Sequence, residues 1–111
     1  MQYDVIIIGA GPGGIFSAYE LSKLCPDKKI GVFEEGQPLE KRRCPIDGKT
    51  VKHCIGCPTC AIMNGFGGAG AFSDGKYNLT NDFGGTLYEY IGKKQAMELM
   101  HYVDEINVSH G

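Results

Sequence analysis

Long apolar segments are missing from this sequence. Its most apolar run, Val5-Ile6-Ile7-Ile8, is broken at Gly9, far short of the ~20 residues of a membrane span and too short for the core of a signal peptide. The reading is a cytoplasmic protein with no membrane partner. Without an export signal, its five cysteines are expected to be reduced thiols or metal ligands rather than structural disulfides. An excess of one charge is missing too. Eleven Lys and Arg stand against thirteen Asp and Glu for a net charge of −2, so there is no field to draw in nucleic acid or an acidic membrane. The single run of three basic residues, Lys41-Arg42-Arg43, reads as a solvated face, with a phosphate contact as the alternative. There is no repeat, no linker and no sign of a second domain, and 111 residues suit one small domain.

Glycine, by contrast, is abundant. Its 17 copies are more than twice the ordinary share, and they gather at 9–14, 65–75 and 84–92. Such clusters mark backbone that approaches something closely or takes positive φ. Residues 3–8 form a β-branched run without alternation, the pattern of a strand buried on both faces. From Ile15 to Leu24 apolar residues recur at helical spacing, and Cys25-Pro26-Asp27 stops that helix. Ile30-Gly31-Val32-Phe33 is a second short strand. Residues 36–62 carry no periodicity, and a loop so long calls for a function or for something other than a core to hold it. Helical spacing returns at Leu87, Tyr90 and Ile91, and again at Met97, Met100, Val103 and Ile106, with Gly92 between the two helices. Met97 and Met100 read as core filler. Residues 107–111 read as the approach to a further strand.

Gly9-Ala10-Gly11-Pro12-Gly13-Gly14 matches G-x-G-x-x-G. In a Gly-rich chain that string is weak alone. Here a strand precedes it, a helix follows, and a second strand ends in an acid, which is the order of a dinucleotide-binding βαβ unit. Gly9 makes the tight turn, Gly11 lets backbone approach a pyrophosphate, and Gly14 permits close packing of helix on strand. The helix N-terminus offers unpaired N–H groups to phosphate. The acid for the ribose hydroxyls is Glu34, 25 residues after Gly9 and a little beyond the usual ~20, the excess lying around Pro26 to Lys29. Strand alternation turns Glu35 the other way. These features do not separate FAD from NAD.

A resemblance does. Asp4 to Gly14, followed by Phe33-Glu34-Glu35-Gly36, resembles the opening of flavoprotein reductases and dehydrogenases. More narrowly, Arg43-Cys44-Pro45, then Cys54, Cys57 and Cys60, then Asn64 to Lys76, resemble a family of FAD-dependent, NAD(P)/FAD-utilising dehydrogenase-like proteins. In that family Gly-Gly-Ala-Gly-Ala-Phe-Ser-Asp-Gly-Lys is a recognisable block. Its members run to several hundred residues, so residues 1–111 match only their first part. The resemblance implies a truncated α/β fold, an FAD-binding Rossmann-type domain of the glutathione-reductase kind with a Cys-rich insert at about 44–60. It places Arg43, Gly67, Gly68, Ala69, Gly70 and Ser73 with Gly9, Gly11, Pro12, Gly13, Gly14 and Glu34 in cofactor binding.

Cys44, Cys54, Cys57 and Cys60 are spaced C-x9-C-x2-C-x2-C. The last three match the compact half of a ferredoxin-type motif, although the separate Cys-Pro lies upstream. Four thiolates also suit tetrahedral zinc, and either metal would hold residues 36–62 without a core. A flavin-linked dithiol made by Cys54 and Cys57 is the further possibility. The reading is therefore an FAD-dependent oxidoreductase acting on a small-molecule substrate or electron carrier, with NAD(P) as a possible electron partner and with this chain alone inactive. Its rivals are a nucleotide-binding protein without chemistry and an inert gene fragment. No catalytic residue is identified.

Overall fold

The computed structural model describes residues 1–111. They gather into two compact units, Met1–Ser73 and Asp74–Gly111, a division that composition did not mark. The first unit opens with strand β1 (Val5–Ile8), helix α1 (Pro12–Leu24) and strand β2 (Ile30–Phe33). The strands pair parallel with Val5 opposite Ile30 and Ile8 opposite Phe33, so α1 is the crossover that a parallel pair requires. β-Branched residues fill β1 because χ1-restricted side chains suit the pleat. Asp4 fastens the strand starts: its carboxylate accepts the Lys29 N–H (2.8 Å), and its own N–H donates to the Lys29 carbonyl (2.9 Å). At the other end the Gly9 N–H donates to the Phe33 carbonyl (2.7 Å), extending the ladder by one bond.

Helix α1 starts three residues before the apolar periodicity does, because Pro12 at its first position already has a helical φ and no N–H to lose. It ends as expected, with the Cys25 N–H on the Leu21 carbonyl (2.8 Å) before Pro26. One expectation for β1 fails. Val5 and Ile7 are half-buried, but Ile6 is 57% and Ile8 81% exposed. An unbroken β-branched run does not by itself supply a layer on both faces, and this chain puts a helix over only one.

Beyond β2 the first unit has only two short 3-10 turns, Leu39–Lys41 and Ala69–Phe72. In the second unit Gly92, at φ +83°, ends α2 (Leu87–Ile91) and begins α3 (Lys93–Ser109). Its N–H caps the Tyr88 carbonyl (2.8 Å), and its carbonyl accepts the Ala96 N–H (3.1 Å). Met97 and Met100 on α3 are half-buried. Residues 107–109 belong to that helix, not to the approach of a strand. Once a helix is nucleated, each added residue costs little, and one β-branched Val108 does not stop it. No helix is long and apolar enough to cross a membrane. Ala10 and Ala96 are the only fully buried apolar side chains, so polar wiring carries much of what shapes the first unit.

Candidate functional site

At the end of β1 the chain turns at Gly9, whose φ of +94° excludes most side chains. It then enters α1 with Gly11 as N-cap and no side chain capping the helix. The first-turn N–H groups therefore have no partner within the helix and stand at the positive end of its dipole. The glycines differ in what surrounds them. A Cβ at Gly11 or Gly13 would meet nothing within 4 Å, whereas one at Gly14 would overlap the Gly9 carbonyl oxygen and stand 3.3 Å from Ile7 Cγ2. Gly14 thus lets α1 rest on the strand end, and Gly11 leaves open space in front of the turn.

Glu34 faces that turn from the end of β2. Its Oε2 accepts the Ala10 N–H (2.7 Å) and its Oε1 the Gly36 N–H (2.9 Å). Donation from Ala10, then from Gly36, holds its carboxyl below the ordinary glutamate value, against the opposing effect of desolvation and with a smaller contribution from the Arg42 charge. The group is ionised at neutral pH. Each carboxylate oxygen keeps a lone pair after one backbone bond, so the acid can still accept a hydroxyl.

The opposite wall is the segment 61–68. Its Gly67 N–H donates to the Ala10 carbonyl (2.7 Å) and its Phe66 N–H to the Gln37 carbonyl (3.1 Å). A Cβ on Gly68 would stand 3.2 Å from both Gly11 Cα and Pro12 Cδ, so the two glycine clusters lie against each other. Between the walls is a cavity of about 370 Å³, lined by Ile8, Gly9, Gly11, Phe33, Glu34, Glu35, Met63, Asn64, Gly65 and Gly68. That volume falls in the ~300–1,000 Å³ range of small-molecule sites.

Of the residues singled out in the sequence, Gly9, Gly11, Glu34 and Gly68 line this cavity. Pro12, Gly13 and Gly14 form the helix start beside it, and Gly67 ties its wall. Ala69, Gly70 and Ser73 are exposed and do not line it, nor does the exposed Arg43. Glu35 does border it, with Oε1 accepting from Asn64 Nδ2 at 3.3 Å. β2 stops at Phe33, so alternation no longer governs where Glu35 points. The larger correction concerns Arg42. It belongs to no solvated face but is 3% exposed, and nothing local in Lys41-Arg42-Arg43 distinguishes it from its neighbours.

No disulfide joins the cysteines. Cys44, Cys54 and Cys60 are exposed and Cys57 is half-buried. No three His, Cys, Asp or Glu side chains are grouped to hold a metal ion. As arranged, the four thiols do not form a coordination sphere, and metal binding requires residues 44–60 to draw them together. The turn at 47–51 is held otherwise, by Asp47 Oδ1 accepting the Lys49 and Val51 N–H groups (2.8 Å each).

No family model matches the chain, and no solved structure matches it. It is similar to an uncharacterized protein of Acanthamoeba polyphaga mimivirus, 43% identical over 42 residues. It is also similar to an uncharacterized protein of Clostridium beijerinckii, 35% identical over 71 residues. The matched stretches are 38% and 64% of this chain but only 8% and 13% of those relatives. The chain spans a small part of their length.

Proposed function

We propose that this chain is the FAD-binding part of a flavin-dependent oxidoreductase, built as a Rossmann-type dinucleotide domain of the glutathione-reductase kind. The observation that carries the reading is Glu34, an ionised carboxylate bonded to the Ala10 and Gly36 amides on a cavity bordered by Gly9 and Gly11. Gly11 and the uncapped N-terminus of α1 would take the pyrophosphate, and Glu34 the adenosine ribose hydroxyls. The lining holds two carboxylates, Glu34 and Glu35, and no Lys or Arg. It therefore suits a nucleotide with a free 2′-hydroxyl and opposes one with a 2′-phosphate.

The choice of FAD over NAD rests on the resemblance of Asp4–Gly14 and Asn64–Lys76 to flavoprotein dehydrogenases. When bound, the flavin would exchange a hydride or electrons with a small-molecule substrate or electron carrier, NAD(P)H among the candidates. This chain's own contribution is to bind and orient the dinucleotide; the substrate side would come from sequence outside these 111 residues. Calorimetric titration of the intact protein with FAD tests the reading. Glu34→Ala should weaken binding about ten- to a hundredfold, and Gly11→Val should abolish it. Unchanged affinity in both would refute the assignment.

A further inference from the structure

We infer that Arg42 is the positioning residue of the cavity: its guanidinium holds the wall 61–68 in the shape that accepts the nucleotide, although Arg42 does not line the cavity. The inference takes its ligand from the FAD reading, but its geometric part stands without it.

Burying a guanidinium is costly unless its N–H groups are satisfied. Here the partners are four backbone carbonyls of one short segment. Nε donates to Ala61 (2.8 Å), Nη2 to Ile62 (2.7 Å), and Nη1 to both Phe66 (2.7 Å) and Gly68 (2.8 Å). The Phe72 ring lies 4.7 Å from the guanidinium carbon, a cation–π contact that further offsets desolvation. These carbonyls bracket Met63, Asn64 and Gly65, which line the cavity. Gly65 is fitted to the same side chain, since a Cβ there would stand 2.6 Å from Arg42 Cδ and 2.8 Å from the Gln37 carbonyl oxygen. Without the cation, four carbonyl dipoles would converge on one buried point with nothing between them, and the segment would open. No fully buried apolar side chain lies in 61–68 to hold it instead. Lysine cannot substitute, because one ammonium lacks the planar fork that spans four acceptors.

The test compares the intact protein with Arg42→Ala, Arg42→Lys and Gly65→Ala, reading amide exchange across 61–68 and FAD affinity by titration. All three variants should lose protection in 61–68 while α1 keeps it, and FAD should bind about tenfold or more weakly. Ethylguanidinium, which supplies the atoms removed, should restore FAD affinity to Arg42→Ala but not to Gly65→Ala, where the Arg42 guanidinium is still in place and the added methyl crowds Arg42 Cδ. A residue that only stabilised the fold would lower protection in α1 as well as in 61–68. If Arg42→Ala does not fold, Arg42→Lys carries the same comparison. Protection and affinity within twofold of wild type in Arg42→Lys would overturn the inference. Failure of the wild-type protein to bind FAD would refute the FAD reading, and amide exchange alone would then decide whether Arg42 holds the wall.

Discussion

Gly13 and Gly14 are neighbours in one helix, yet alanine should act in opposite directions at the two. At Gly13 a Cβ meets nothing within 4 Å. Gly13→Ala therefore gains only from restricting the unfolded chain and from helix propensity, at most about 1 kcal/mol. At Gly14 the same methyl overlaps the Gly9 carbonyl oxygen and approaches Gly9 C at 3.1 Å and Ile7 Cγ2 at 3.3 Å. Two of those atoms are backbone and cannot rotate away, so α1 must lift from the strand end. Overpacking of this kind costs ~1–3 kcal/mol, which outweighs the propensity gain. Gly14→Ala should thus be destabilised by up to about 2 kcal/mol and fall about 1–3 kcal/mol below Gly13→Ala. Urea denaturation followed by far-ultraviolet circular dichroism measures both midpoints. Equal midpoints, or a Gly14→Ala protein more stable than wild type, would refute the packing of α1 on β1 described here.

Three further outcomes follow from the site. Glu34 has a lowered folded pKa, so its stabilising contribution is complete above the ordinary value of 4.5 and is lost as pH falls through the lower folded value. Glu34→Gln should flatten that part of the acid limb of a stability–pH profile. Asp47, lowered by the Val51 and Lys49 amides, should leave its own share for Asp47→Asn to remove. Between adenosine nucleotides that differ only at the 2′ position, the 2′-phosphorylated one should compete less well for the cavity. Equal competition would remove the role given to Glu34 and Glu35. With Cys44, Cys54 and Cys60 exposed, a thiol reagent should modify all three rapidly in metal-free protein. Protection of these thiols together with stoichiometric iron or zinc in anaerobically purified protein would show that 44–60 closes around a metal.

The βα part of the fold was legible because its signals are local. The β-branched run, Pro26 and the placement of Gly92 each act within a few residues. Glu34 was legible for the same reason, since it is the first residue after β2. The far wall was not. Met63, Asn64 and Gly65 reach the cavity only because Arg42 bonds carbonyls about twenty residues further along, and no periodicity encodes a side chain-to-backbone network of that span. Exposure of Ile6 and Ile8 escaped the sequence for a related reason: apolar pattern states what a face prefers, and only tertiary context states what covers it.

In the proposed function, FAD occupies the cavity between the Gly9–Gly14 turn and Glu34. Absorption spectroscopy of the intact protein, purified without added cofactor and then titrated with FAD, tests it most directly. The expected result is bound flavin, or stoichiometric uptake of FAD that saturates at one equivalent and is lost in Gly11→Val. A protein that stays colourless and takes up no FAD, while folded by circular dichroism, would contradict it.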